Sequence, residues 1–166
     1  MRTQEALRKI KTYRPTSLKE FKTLGLLGRY VGSGVFRESF RIRGTNLIVK
    51  FPLNESRHGR TPVYKSGIAH SRAEMRRVHK LKKIKALRAH LPKVWYYDKT
   101  HGIVVMPHYI KLGGYGGWNK IEMLGKVINK LMKQYAHTAM NDIQGDNTRM
   151  TAGKYNKRIV FVDLGY

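Results

Sequence analysis

Residues 30–52 read YVGSGVFRESFRIRGTNLIVKFP, and this stretch decides the fold. Tyr30 and Val31 run into Gly32-Ser-Gly34, after which Val35, Phe36, Ser39, Phe40 and Ile42 resume the apolar pattern. That is strand, glycine turn, strand. Gly44-Thr-Asn46 marks a second turn, Leu47-Ile-Val-Lys-Phe51 is a short apolar strand, and Pro52, with no N–H to give, ends it. Gly32-x-Gly34 permits a tight turn whose amides can approach phosphate oxygens, although a lone GxG is usually only a hairpin. Lys50 sits among Ile48, Val49 and Phe51, where burying an ammonium is costly unless an anion meets it.

C-terminal to this stretch, residues 53–66 are polar and basic and read as a loop. Residues 68–89 predict a long basic helix, with Ile68, Met75, Val78, Leu81, Ile84 and Leu87 at helical spacing. Glu74 is its one acid, and the only acid between Ser56 and Tyr97. It is the available carboxylate for Lys50. Taken singly, Lys50 reads as a snorkelling edge lysine and Glu74 as the partner of a neighbouring arginine. Pro92 introduces a hairpin of Val94–Tyr97 and Ile103–Met106 across the turn Asp98–Gly102. Gly113–Trp118 is a glycine-aromatic linker, and residues 119–136 predict a second helix with Ile121, Leu124, Ile128, Leu131 and Tyr135 on one stripe.

The chain then offers Asn141-Asp-Ile-Gln-Gly-Asp-Asn147, a strand Arg158–Val162, and Asp163-Leu-Gly165. Asp142 and Asn147 are five residues apart on one loop and can face a common site. An Asp there can accept a hydroxyl proton or orient a nucleophile, while an Asn amide oxygen and a following carboxylate, Asp163, suit Mg²⁺, which prefers oxygen ligands. Asp146 has no assignable role, and His137 reads as a packed helix-end residue. N-terminal to the deciding stretch, residues 3–12 predict a short basic helix interrupted by Pro15, and Ser17-Leu-Lys-Glu20 is a capping box opening another.

These parts, in this order, resemble the protein-kinase-like superfamily. Val31–Phe36 is similar to the glycine-rich loop, Ile48-Val-Lys50 to the third-strand lysine motif, and Glu74 to the glutamate of the helix that follows. Asp142–Asn147 resembles the catalytic loop and Asp163-Leu-Gly165 the DFG segment. Met106-Pro-His108 falls where the hinge would contact adenine. Three positions depart from the pattern: Arg37 stands at the third glycine, Met140-Asn141 at the His-Arg pair, and Gln144 at the usual lysine. The sequence ends at Tyr166, before any activation segment, so its compactness resembles small kinase-like proteins of bacteria and bacteriophages, including the early kinases of T7-like phages.

The resemblance implies an α+β, two-lobed fold: an antiparallel small-lobe sheet with one long helix, and a reduced second lobe. The expected divisions are 1–27, a basic helical appendage; 28–110, the small lobe; and 111–166, the reduced lobe. It implies ATP and Mg²⁺ as cofactors. Gly32, Ser33, Gly34, Val35 and Phe36 would cover the phosphates, with Met106 and His108 beside the adenine. Lys50, oriented by Glu74, would hold the α- and β-phosphates; Asp142 would orient the acceptor, and Asn147 and Asp163 would hold the metal. The implied activity is a serine/threonine protein kinase acting on host proteins or itself, and the expected setting is cytoplasmic.

Composition frames a second reading. The 166 residues carry 34 Lys and Arg against 10 Asp and Glu, a net charge of +24, with no cysteine. A domain this basic repels itself unless a polyanion, nucleic acid or an acidic protein, neutralises it. A kinase-like basic module that binds such a partner without catalysis is the alternative. Disulfide and thiolate chemistry are excluded. No apolar run reaches the roughly 18 residues of a membrane span, and the basic N-terminus lacks the apolar region of a secretory signal.

Overall fold

The computed structural model describes residues 1–34, 36–53, 67–111, 126, 130, 148–150 and 159–161. The chain divides into two compact units: residues 1–73 with 93–108, and residues 74–92 with 109–166.

The first unit is a sheet with two helices on one face. Its strands are β1 (Leu27–Ser33), β2 (Arg37–Ile42), β3 (Leu47–Pro52), β4 (Tyr96–Asp98) and β5 (Ile103–Pro107). They are antiparallel in the order β1-β2-β3-β5-β4. The register is set by two turns the sequence marks. Gly44, at φ +67, closes the β2–β3 turn, and Gly102, at φ +68, closes the β4–β5 turn.

Alternation along the strands gives the sheet two distinct faces. Leu47, Val49 and Phe51 of β3 join Ile42, Ile103 and Val105 in one apolar core. The helices α1 (Thr3–Tyr13) and α2 (Leu18–Thr23) complete it with Ala6, Leu7, Ile10 and Phe21. Phe21 meets Phe51 edge to face at 5.1 Å and is fully buried, a burial that stabilises by roughly 1.5–3 kcal/mol. The N-terminal residues are thus part of the core. α1 ends where Arg14 turns left-handed and donates its N–H to Ile10, and Pro15 then prevents continuation. α2 opens as its capping box requires, with the Ser17 hydroxyl accepting the Glu20 N–H at 3.3 Å. The Glu20 carboxylate reaches back one residue further, to the Thr16 N–H at 2.7 Å.

The helix after β3 is α3 (Gly67–Lys82), shorter than the predicted 68–89. It tightens at its end, where Ile84 donates to the Leu81 carbonyl, and a 3-10 turn over Lys85–His90 follows. The Arg88 side chain takes the Lys82 carbonyl at 2.7 Å. The apolar period persists through Leu87 because the 3-10 turn also buries it, so the break leaves little trace in the sequence.

In the second unit Met75, Val78, Leu81, Leu87 and Leu91 are buried. A small antiparallel sheet runs β6 (Ile110–Lys111), β7 (Thr148–Met150), β8 (Ile159–Phe161), with β8 against the 3-10 turn. The predicted strand 158–162 is thus found as β8, while β6 and β7 were not anticipated. Lys126 and Lys130 of the predicted second helix are helical and exposed. The rest of that helix, the loop 54–66 and the linker 113–118 lie outside the described residues. Fold class is α+β with an antiparallel sheet, as the sequence implied. None of the described helices is long and apolar enough to cross a membrane.

Candidate active site

Of the predicted small-lobe residues, Lys50 and Met106 lie on the face of the sheet away from α1 and α2. On β3, Ile48 and Lys50 alternate with the core-facing Leu47, Val49 and Phe51. Lys50 stands opposite Ser39 on β2 and Val104 on β5. Ile48 stands opposite Arg41 and Met106. Lys50 is only 7% exposed, in a strand whose other residues are apolar. Removing an ammonium from water this fully costs several kcal/mol before any partner is counted.

The glycine turn joins β1 to β2. Its Gly34 N–H closes the turn on the Arg37 carbonyl at 2.8 Å. Neither Gly32 nor Gly34 has a positive φ, and no described atom lies within 4 Å of where a Cβ would stand on either. Among the described residues, neither a close contact nor a positive φ calls for glycine at these two positions. Ser33 is exposed, and Val35 lies outside the described residues.

Phe36 and Arg37 tie the end of the turn to the start of α3. The Phe36 ring stacks on His70 at 4.5 Å, 15° from parallel. Arg37 is buried, with Nη2 3.5 Å from His70 Nε2. The Phe36 carbonyl accepts the Leu53 N–H, and Leu53 in turn accepts the Gly67 N–H. Any side chain at Gly67 would collide with the Phe36 and Leu53 backbones, so glycine is what lets α3 begin here. His70 was not singled out from the sequence. The sequence marked Arg37 only as the residue standing at the third glycine position.

At the far end of β5, Met106 is buried, Pro107 has no N–H, and the His108 N–H donates to the Asn46 carbonyl at 2.9 Å. Glu74 belongs to the second unit and is 2% exposed. It shares a face of α3 with His70, four residues earlier. Asp142, Asn147 and Asp163 lie outside the described residues, as does Asp146. Among the described residues no three His, Asp or Glu side chains are grouped to hold a metal ion.

No family model matches this sequence, and no curated protein does. One solved structure similar to it is the Rio2 kinase–ADP/Mg²⁺–phosphoaspartate complex from Chaetomium thermophilum, with a TM-score of 0.48 and 12% identity. The match covers 89% of this chain and 50% of that one, so the chain spans about half the length of that kinase.

A second polar group occupies the β4–β5 turn. Asp98 accepts the Thr100 N–H at 2.8 Å, the His101 N–H at 3.1 Å, and pairs with His101 Nδ1 at 2.7 Å. Burial works to raise the Asp98 carboxyl, but the His101 and Thr100 contacts together outweigh it and hold it below the usual range. These bonds all run within the turn and serve to fasten it.

Proposed function

We propose that this chain binds ATP with Mg²⁺ and transfers the γ-phosphoryl group to a serine or threonine hydroxyl of a protein, or to its own chain. The observation that carries this reading is Lys50, a buried cation on a central strand whose other residues are apolar. A polyphosphate is a counter-charge that justifies holding it there. Gly32 and Gly34 suit the same ligand, since no described atom lies within 4 Å of where a Cβ would stand on either.

In this reading Lys50 holds the α- and β-phosphates, Glu74 orients it, and the backbone around the glycine turn covers them. With Pro107 lacking an N–H and that of His108 engaged, the backbone of these two residues offers a base only carbonyl acceptors. The exocyclic amine of adenine is a matching donor. Asp142 orients the acceptor hydroxyl, and Asn147 and Asp163 supply oxygen ligands to the metal. Asn147 and Asp163 would hold Mg²⁺, which would supply neutralisation of the charge that develops on transfer. The side chains then contribute positioning and electrostatic stabilisation. A cytoplasm supplies the ATP.

The test is transfer of label from γ-labelled ATP with Mg²⁺, to cell extract or to the chain itself, by wild type and by Asp142→Ala and Asp163→Ala. Transfer by wild type, reduced about 10²–10⁴-fold in each variant, supports the enzyme. Transfer that survives both substitutions, or none by wild type, contradicts it.

A further inference from the structure

β2 is six residues long, about 20 Å of chain. At one end is the glycine turn. At the other, where β2 turns into β3, lies a feature that phosphoryl transfer does not use. An open groove of about 790 Å³ is lined by Arg29, Arg41 and Arg43, with Thr3, Thr45 and Asn46 between them. No described carboxylate lines it, and none pairs with any of the three arginines.

The groove is built in detail. A side chain at Gly28 would meet the Arg41 carbonyl at 2.8 Å, so glycine lets β1 close on β2 there. The β1–β2 register breaks between Leu27 and Tyr30, which displaces Arg29 from the regular ladder. Arg41 Nη1 donates to Asn46 Oδ1 at 3.2 Å, which fixes the guanidinium beside the turn and leaves its other donors for a ligand. The Thr45 hydroxyl donates to the Ile42 carbonyl at 2.9 Å and accepts the Leu47 N–H at 3.1 Å, so the turn itself is braced. Three guanidinium groups around one groove repel each other, and the fold holds them together regardless.

We infer that this groove binds the phosphodiester backbone of a nucleic acid. Guanidinium forks match phosphate geometry, and short hydroxyl and amide side chains with exposed backbone are the usual company of arginine at phosphates and sugars. An open groove accepts a continuing strand, and the net charge of +24 suits a ligand with many phosphates rather than one. The inference stands apart from the kinase reading, because it uses neither Lys50 nor the glycine turn.

The test uses the full chain and fluorescent oligonucleotides, single-stranded and duplex, with anisotropy followed over a range of KCl concentrations. Wild type is compared with Arg29→Gln/Arg41→Gln/Arg43→Gln and with a charge-matched control, Arg8→Gln/Lys19→Gln/Lys22→Gln, all three exposed. The groove variant should lose tenfold or more in affinity, and its slope of log K against log salt should fall by about 2–3. The control should lose clearly less, and MgATP binding should be unchanged in both. The single Arg29→Gln variant, at an exposed site, should lower the slope by about one; it keeps the test open if the triple variant folds poorly. Equal losses in groove and control variants would assign the affinity to diffuse charge and overturn the inference. Binding of poly-glutamate in preference to oligonucleotide would overturn it in favour of an acidic protein. Loss of nucleic-acid binding in Lys50→Ala would overturn it by placing both ligands in one site.

Discussion

The two faces of the five-stranded sheet use the same strands for different ends. One face, under α1 and α2, is mainly apolar: Ile42, Leu47, Val49, Phe51, Ile103 and Val105 pack with Ala6, Leu7, Ile10 and Phe21. The other intersperses Arg37, Ser39 and Lys50 with Ile48, Val104 and Met106 in matched register. A sheet that needed only stability would carry hydrophobes on both faces, since buried charge rarely adds to it. The first face packs the core, and the second sets buried polar groups among its hydrophobes.

Substitutions should separate the faces. The largest effect on stability belongs to Phe21→Ala, fully buried against Phe51. About 3–5 kcal/mol should be lost, seen as a large drop in melting temperature, with nucleotide affinity kept wherever the variant is folded. Lys50→Ala should act the other way, lowering phosphoryl transfer by about 10²–10³-fold while circular dichroism stays that of wild type. A Lys50→Ala protein that transfers phosphate normally would erase the distinction between the faces.

Smaller changes sharpen it. Ser17→Ala removes the α2 cap, whose hydroxyl takes the Glu20 N–H. It should cost about 1 kcal/mol of stability by urea titration, with no change in transfer rate. Gly34→Ala meets no described atom and needs no positive φ. It should leave stability within about 0.5 kcal/mol yet weaken nucleotide binding measurably. If both properties stay unchanged, that glycine is not there for a ligand.

The smallest effect is one of pH. The Thr16 N–H leads the contacts that hold Glu20 low. In Asp98, burial is outweighed by the His101 and Thr100 contacts, so its carboxyl is also depressed. A carboxylate depressed in the folded state contributes stability above its unfolded pKa, near 4, and that contribution is lost as pH falls through the folded value. Asp98→Asn should therefore lower the melting temperature slightly at neutral pH and close the gap to wild type in acid. A gap that widens in acid would contradict the assignment.

What the sequence made legible was punctuated. Gly32-x-Gly34, Gly44, Pro52 and Gly102 bound the strands, so the hairpins were readable to within a residue or two. The cap at Ser17 was legible because a hydroxyl and a carboxylate at that spacing have one common use. The core role of α1 was hidden, because Ala6, Leu7 and Ile10 are few among its charges. β6 and β7 were missed because two or three residues carry no alternation to detect. The His70 stack joins residues 34 positions apart, which no local pattern records. Of the candidate site, the small-lobe residues were legible as motifs, because a lysine within an apolar strand is conspicuous. The open surroundings of Gly32 and Gly34 and the engaged N–H of His108 required coordinates.

The central claim is that Lys50 is buried for the sake of a polyphosphate. Calorimetric titration of MgATP into wild type, Lys50→Ala and the packing-face control Val49→Ala tests it most directly. The account predicts saturable binding by wild type and by Val49→Ala, and at least tenfold weaker binding by Lys50→Ala. Equal affinity in wild type and Lys50→Ala, or heat from neither, would contradict it.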